Sequence, residues 1–324
     1  MQRLVGSLGV LLAITAGLFV AGCDVAPALQ ELADASRAPA SAPPSPSAPP
    51  ATGGETIKIA SFNLCVFGKS KLGKPQAMDV LVDVVRRFDV VAVQEIRALD
   101  QTVVPQFVQQ INADGSRYDF VIGPRLGRTS SKEQYAFLFD TARIELVPNS
   151  AYTVPDPHDL MHRAPMVARF RVRSPSSEQP FTFSLVNIHT DPDETDVELN
   201  ALDDVYLAVQ RNPSGEDDVI LLGDLNEDER HLGELGQVPN VTWVVSNQTT
   251  NTRRNKSYDN IVFDRHLTAE YTGAWGVLDL QAEYRLSLDE ALEVSDHSPV
   301  WAEFGVREGA AASQVAGRPA TPPR

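Results

Sequence analysis

Short apolar runs in this chain repeatedly stop at a polar group. Thr56-Ile57-Lys58-Ile59-Ala60-Ser61-Phe62 alternates and then reaches Asn63, the period of a half-buried strand, which we read over Ile57–Val66. Ala77 to Arg87 has helical spacing, with Leu81, Val84 and Val85 on one face. Phe88-Asp89-Val90-Val91-Ala92-Val93 reads as a buried strand that ends at Gln94-Glu95. Pro105 to Ile111 suggests a helix, and Tyr135-Ala136-Phe137-Leu138-Phe139 a strand entered from a polar loop. Met166–Val172 and Phe181–Ile188 are two more strands, the second stopping at His189. Val197 to Gln210 is amphipathic, and Asp218-Val219-Ile220-Leu221-Leu222 is a buried strand ending at Gly223-Asp224. Ile261-Val262-Phe263 and Pro299–Phe304 complete the set.

Two halves of this pattern rhyme: a helix, then Asp-Val-Val and a strand delivering Glu95, and later a helix, then Asp-Val-Ile and a strand delivering Asp224. Strands alternating with helices predict an α/β (α+β) class, built as a four-layer sandwich of two packed mixed β-sheets flanked by helices. Ligands in such sheets collect at strand ends. Six interruptions fall there in order: Asn63, Gln94-Glu95, His189, Gly223-Asp224-Leu225-Asn226, Tyr258-Asp259 and Asp296-His297. Packing explains them poorly, since each threatens a strand with an unpaired polar group. They make sense if the strand ends converge on one site.

Composition divides the 324 residues into parts. Residues 1–22 carry Arg3, an apolar run from Leu4 to Val20, then Ala21-Gly22 before Cys23, which reads as a signal peptide rather than a spanning helix. Val20-Ala21-Gly22-Cys23 resembles the lipobox of bacterial lipoproteins, and that resemblance implies a lipidated Cys23 anchoring the chain to a membrane from outside the cytoplasm. Residues 23–54, rich in Ala, Pro and Ser, read as a disordered tether, and 308–324 as a disordered tail. One domain remains, 55–307, expected to act as a monomer. With Cys23 lipidated, Cys65 is the other of two cysteines, so no disulfide is expected; Cys65 reads as a small buried hydrophobe. The net charge of −15 opposes nucleic acid as a partner, because phosphate binding is mostly electrostatic. A metal-dependent phosphodiesterase escapes part of that objection, since some carboxylates are ligands and the cation reverses the local field.

The interruptions carry the chemistry of phosphate esters. Glu95, Asp296, Asp224, Asn226 and Asn63 supply the oxygens that a hard divalent cation wants, Mg²⁺ first and Mn²⁺ or Ca²⁺ as alternatives. His189 and His297 can move protons near neutral pH, and each needs a carboxylate to fix its tautomer. Asp259 and Glu133 are the candidates. His158, His162, His231 and His266 fall in polar segments and receive no role.

Ser61-Phe62-Asn63, Gln94-Glu95-Ile96-Arg97, Gly223-Asp224-Leu225-Asn226 and Ser295-Asp296-His297-Ser298-Pro299-Val300 together resemble motifs of the endonuclease/exonuclease/phosphatase superfamily. Longer stretches, 85–91, 126–135 and 203–207, are similar to its secreted deoxyribonuclease I type. The resemblance implies that Glu95 and Asp296 hold the metal with Asn63 nearby, and that Asp224 and Asn226 serve a second metal position or the scissile phosphate. It implies His297 with Asp259 as general base and His189 with Glu133 as general acid, labels that could be exchanged, and Arg97 and Arg163 as contacts to DNA phosphates. The expected activity is a Mg²⁺-dependent DNA endonuclease leaving 5′-phosphates. Three departures from the type bear on DNA grip: Cys65 where it often has arginine, Ser131 where it often has tyrosine, and Lys256 in place of half its usual disulfide. Arg253-Arg254-Asn255-Lys256 offers a local basic offset. Two other readings stand beside the nuclease: a phosphatase or phosphodiesterase acting on phospholipid head groups or small phosphoesters, and a non-catalytic binding lipoprotein on the same fold.

Overall fold

The computed structural model describes residues 56–173, 179–212 and 215–309; the signal segment, the tether with Cys23 and the tail beyond 309 lie outside the described residues. Two sheets lie face to face. The first comprises β1 (Thr56–Phe67), β2 (Val90–Ile96), β3 (Tyr118–Ile122), β4 (Gln134–Asp140), β12 (Tyr271–Val277) and β13 (Val300–Gly305), in the order β12-β13-β1-β2-β4-β3. The second comprises β5 (Ile144–Leu146), β6 (Tyr152–Thr153), β7 (Met166–Val172), β8 (Thr182–His189), β9 (Val219–Asp224), β10 (Val241–Trp243) and β11 (Asp259–Asp264), in the order β10-β11-β9-β8-β7-β5, with β6 also on β7. Helices α1 (Lys69–Leu72), α2 (Pro75–Val85), α3 (Val103–Ile111), α4 (Thr195–Gln210), α5 (Leu280–Tyr284) and α6 (Leu288–Val294) accompany them.

The rhyming halves are two strand–helix–strand units. Around α2, β1 and β2 are parallel; around α4, β8 and β9 are parallel. All other pairings are antiparallel. Leu81, Val84 and Val85 of α2 and Phe107 of α3 pack with Ala60, Phe62 and Val91 on the outer face of the first sheet. Leu199, Leu202, Tyr206 and Val209 of α4 pack with Val186, Ile188 and Leu221 outside the second. Between the sheets lie Ile57, Ile59, Val90, Ala92, Phe137, Phe170, Phe183, Leu185, Ile220, Leu222, Ile261 and Phe263. Phe170 meets Phe137 edge-on at 5.5 Å between centroids, and each such buried ring contributes on the order of 2–3 kcal/mol.

The period of two along each strand explains why the site lies where it does. On the inward face, β1 runs Ile57, Ile59, Ser61, Asn63; β2 runs Val90, Ala92, Gln94; β8 runs Phe183, Leu185, Asn187, His189; β9 runs Ile220, Leu222, Asp224. Each turns from apolar to polar at its C-terminal end. The antiparallel partners turn the other way: Tyr135, Phe137 and Phe139 follow Glu133 on β4, and Ile261 and Phe263 follow Asp259 on β11. The apolar core therefore becomes a polar one at a single end of the sandwich.

The short edge strands β3, β5, β6, β10 and β12, and helices α5 and α6, were not expected from the pattern. The edge strands run over few residues or, as in β12, lack a buried face. For α6 a signal was present: Ser287 accepts from Glu290 N and the Glu290 side chain answers the Ser287 backbone, a capping box.

Candidate active site

A ladder of buried amides floors the polar end. Gln94 Nε2 donates to Asn187 Oδ1 (2.7 Å) and Ser61 Oγ (3.1 Å), and Asn187 Nδ2 donates to the Val93 and Ala136 carbonyls (3.1 Å each). These bonds tie the two sheets together beneath the site. Asn187 went unassigned in the sequence, although it stands two residues before His189 and so on the same strand face.

Above this floor two histidines face each other across one carboxylate. His189 Nδ1 lies 2.7 Å from Glu133 Oε1, and His297 Nδ1 lies 2.9 Å from Asp259 Oδ2. Both Nε2 atoms stand 3.4 Å from Asp224 Oδ2. Asn63 Nδ2 donates to that same oxygen at 3.0 Å and lies 3.3 Å from Glu95 Oε1. Asp224 Oδ1 takes the Asn226 N–H at 3.0 Å, and Asn226 Nδ2 holds the Thr190 carbonyl at 2.8 Å. The β8–β9 approach that seats His189 beside Asp224 requires a glycine at 223: at φ +158, a Cβ there would stand 1.9 Å from the Ile188 carbonyl oxygen.

The carboxylates set the charge on both rings. Burial alone would lower His297, but Asp259 and Asp224 raise it well above its ordinary value. Burial would lower His189 too; Asp224 and Glu133 raise it. Asp224, which burial would raise, is instead held low by His297, His189 and the Asn63 amide. Glu133 is likewise held low against burial, by His189 and then Arg163 and Arg97.

Each histidine–carboxylate pair has its own brace. Thr250 Oγ1 donates to Asp259 Oδ2 at 2.8 Å. Ser295 Oγ donates to the Asn63 carbonyl at 2.7 Å and accepts from His297 N at 3.0 Å, locking the approach to β13 against β1. Tyr135 OH accepts from His189 N at 3.0 Å. Arg163, expected at DNA phosphates, is 5% exposed; its Nε lies 2.7 Å from Glu133 Oε1 and it donates to the His189 and Thr190 carbonyls at 3.1 Å. That geometry makes it a support of the Glu133–His189 pair. Arg97 is half-buried, with Nη2 at 3.1 Å from Glu95 Oε2, Nε at 3.7 Å from Glu133 Oε2, and Nη1 donating to Ser131 Oγ at 3.0 Å. His162, given no role from sequence, lies 3.3 Å from Asp191 Oδ2 beside this group.

Glu95 reaches the site through strained backbone. Strict alternation would send it to the face opposite Gln94, but the register slips near Ile96 and Glu95 has φ +61. Cys65 and Val66, with φ +48 and +55, belong to the matching irregularity in β1, where Val66 N donates to Glu95 Oε2 at 2.8 Å. Cys65 is half-buried and free, and burial and Asp296 push its thiol up. Lys71, unremarked in the sequence, is buried and donates to the Leu64 (2.6 Å) and Val294 (2.7 Å) carbonyls, stapling β1 to the end of α6 just before Ser295. The 250–256 loop is closed by Asn251, whose side chain binds Lys256 N and Asn255, in place of a disulfide. Arg254 pairs with Asp279 at 2.7 Å, so it is engaged within the chain.

The donor set suits a divalent cation. Glu95, Glu133 and His189 bring ligand atoms within 4.8 Å of one another, as do Asp224, Asp259 and His297. Glu133 Oε2 and Asp259 Oδ1 are buried with no hydrogen-bond partner. Asp296 belongs to neither group; its side chain is 55% exposed, with Oδ1 4.0 Å from His297 Nε2, so it stands at the rim. Asn63 turns its amide nitrogen to Glu95 and Asp224 and its oxygen to Cys65 N (2.9 Å).

Residues 60–297 match the sequence profile of the Endonuclease/Exonuclease/phosphatase family. Deoxyribonuclease gamma of Rattus norvegicus is 32% identical over 269 residues, covering 76% of this chain and 84% of that protein. Deoxyribonuclease-1 of Bos taurus is 33% identical over 262 residues, covering 76% and 92%. Among solved structures, the human Nocturnin catalytic domain superposes with a TM-score of 0.53 at 14% identity, over 78% of this chain and 95% of that one. An endonuclease/exonuclease/phosphatase family protein from Bacteroides thetaiotaomicron does so with 0.50 at 15% identity, over 77% and 97%. The structural likenesses carry the two-sheet architecture, and the sequence likenesses span the strand ends on which the histidines and carboxylates sit. By the profile and the sequence likenesses, this chain is a member of the endonuclease/exonuclease/phosphatase family.

Proposed function

We propose that this hydrolase is a Mg²⁺-dependent DNA endonuclease that cuts phosphodiesters to leave 5′-phosphates. The observation that carries the reading is the pair of carboxylate-oriented imidazoles whose Nε2 atoms converge on one oxygen of Asp224, 3.4 Å from each. An in-line displacement at phosphorus needs one group to take a proton and another to give one, on opposite sides of the phosphate. Similarity to deoxyribonucleases over three quarters of the chain supports DNA as the ester.

In this mechanism His297 Nε2 accepts the proton of the attacking water while Asp259 holds its Nδ1–H and stabilises the imidazolium. The water oxygen bonds to phosphorus and the bond to O3′ breaks. His189 Nε2 gives its proton to O3′, with Glu133 fixing the ring and Arg163 fixing Glu133. Asn226 and Arg97 orient the phosphate, and Asp224 keeps both rings aimed at one point. Glu95, with Asp296 and Asp224, would hold Mg²⁺, which when bound supplies positive charge to the phosphate oxygens. The labels acid and base are separable. On a DNA whose scissile O3′ is replaced by sulfur, a leaving group that needs no proton, His189→Ala regains activity and His297→Ala does not. Supercoiled plasmid with Mg²⁺ tests the function itself: nicking that does not differ from that of His297→Ala would sink it.

The net charge of −15 favours a second reading, in which the same machinery acts on a phospholipid head group or a small phosphomonoester. Release of phosphate or phosphocholine without plasmid nicking would select it. We further propose that the enzyme works outside the cytoplasm on a lipid anchor at Cys23, supported by the Val20-Ala21-Gly22-Cys23 sequence. Cys23→Ser should then move the protein from the membrane to the soluble fraction; an unchanged distribution would refute the anchor.

A further inference from the structure

A second carboxylate cluster lies at the other end of β9. Asp218 immediately precedes the strand that ends at Asp224, six residues and about 20 Å away along an extended chain. Asp218, Glu270 and Glu308 bring carboxylate oxygens within 4.8 Å of one another, and Glu216, Asp217 and Asp218 do the same. These residues come from three places: the entry to β9, the turn between β11 and β12, and the chain beyond β13. Asp218 is 3% and Glu270 1% exposed, and Asp218 Oδ1 and Glu270 Oε2 have no hydrogen-bond partner.

The acids are not the whole of it. Thr268, not acidic and 1% exposed, sets its hydroxyl beside Asp218, yet its Oγ1 has no partner in hydrogen-bonding geometry. Neighbouring donors fix one oxygen on each of three carboxylates. Glu308 Oε1 accepts from Thr182 N (2.7 Å) and Oγ1 (2.8 Å), Glu270 Oε1 from Gly309 N (2.6 Å), and Glu216 Oε1 from Asp218 N (3.1 Å). Glu308, Glu270 and Glu216 are thus oriented, with Asp218 Oδ1, Glu270 Oε2 and Thr268 Oγ1 left over. Arg169 offsets part of the charge at Glu216.

We propose that Asp218, Glu270 and Glu308, with the Thr268 hydroxyl, form a binding site for a divalent cation of the calcium type, a clasp that ties the start of β9 to the β11–β12 turn and the C-terminal end of β13. All donors are hard oxygens. Ca²⁺ takes about six to eight oxygens in flexible geometry, which suits carboxylates gathered from three separate segments, whereas Mg²⁺ demands near-ideal octahedral geometry and keeps several of its waters. The clasp is separate from the catalytic cluster and needs no assumption about the substrate.

Calcium binding and thermal unfolding test it, and neither reads catalysis. The full chain carrying Glu95→Gln, which disables a candidate ligand of the catalytic end, should still bind calcium by titration calorimetry. At a hundredfold excess over Kd its Tm should rise by about 5 °C. Adding Glu270→Gln should abolish that rise. Thr268→Val, which removes only a hydroxyl, serves as the second variant should Glu270→Gln not fold, and should weaken calcium binding at least threefold. A Tm that calcium leaves unmoved, or raises equally in the Glu270→Gln or Thr268→Val protein, would overturn the clasp and leave the buried carboxyls sharing protons.

Discussion

Replacing Asp259 by asparagine isolates the charge behind His297 with little change of shape. Asp259 Oδ2 faces His297 Nδ1 at 2.9 Å and accepts from Thr250 Oγ1 at 2.8 Å. The amide oxygen of Asp259→Asn can keep both contacts, and its nitrogen would take the position of Oδ1, which has no partner. What disappears is one negative charge. Two unit charges about 4 Å apart interact by about 4 kcal/mol at an effective dielectric of 20, and part of that acts on the imidazolium that forms as His297 takes its proton. A barrier raised by about 2–4 kcal/mol lowers kcat by about 30- to 900-fold. The pH profile should move as well. Asp259 is, after burial, the leading cause of the raised His297 value, so without it the ring sheds its proton more easily and the acidic limb of kcat shifts to lower pH. Above the folded value of His297, where the ring is neutral, folding should be little changed; below it the protein should lose stability, since the buried imidazolium has lost its partner. Plasmid nicking across pH 5–9, beside urea denaturation, gives all three quantities. A loss below threefold, or a limb that stays in place, would refute Asp259 as the orienting charge.

Arg163→Met should cost about 3–5 kcal/mol, because it strips a buried carboxylate of its cation and two carbonyls of their donor; unaltered denaturation with a raised KM would instead return Arg163 to the phosphate. Gly223→Ala must part β8 from β9, since its Cβ would lie 1.9 Å from the Ile188 oxygen, and should lower stability by more than about 3 kcal/mol; a urea midpoint like that of the parent would show that the strands can yield. In chelator, the raised His189 and His297 contribute stability that is complete below their ordinary 6.5 and fades as pH rises through their folded values. The lowered Asp224 contributes stability present above 3.8 and lost as pH falls below it. Tm should therefore peak between those limits, and a Tm climbing steadily from pH 6 to 9 would contradict the charges assigned to the rings.

The sequence by itself determined the class of fold and the order of the polar strand ends. Such signals are local: β7 and α4 carry the periods that bury one face, and β2 and β9, buried on both faces, carry unbroken apolar runs. Edge strands such as β12 bury little, so their pattern is weak. The tertiary structure alone decided which groups meet. Glu133 and His189 are 56 residues apart, and His297 and Asp259 are 38 apart; only sheet pairing and the stacking of two sheets bring them within a hydrogen bond. The same holds for Gln94 on Asn187, 93 residues on, and for Arg163, which the resemblance places at DNA phosphates and the fold encloses behind Glu133. Residue type shows what a side chain can do, but burial and the neighbours that burial enforces fix its charge and its partner. Those neighbours come from distant parts of the chain.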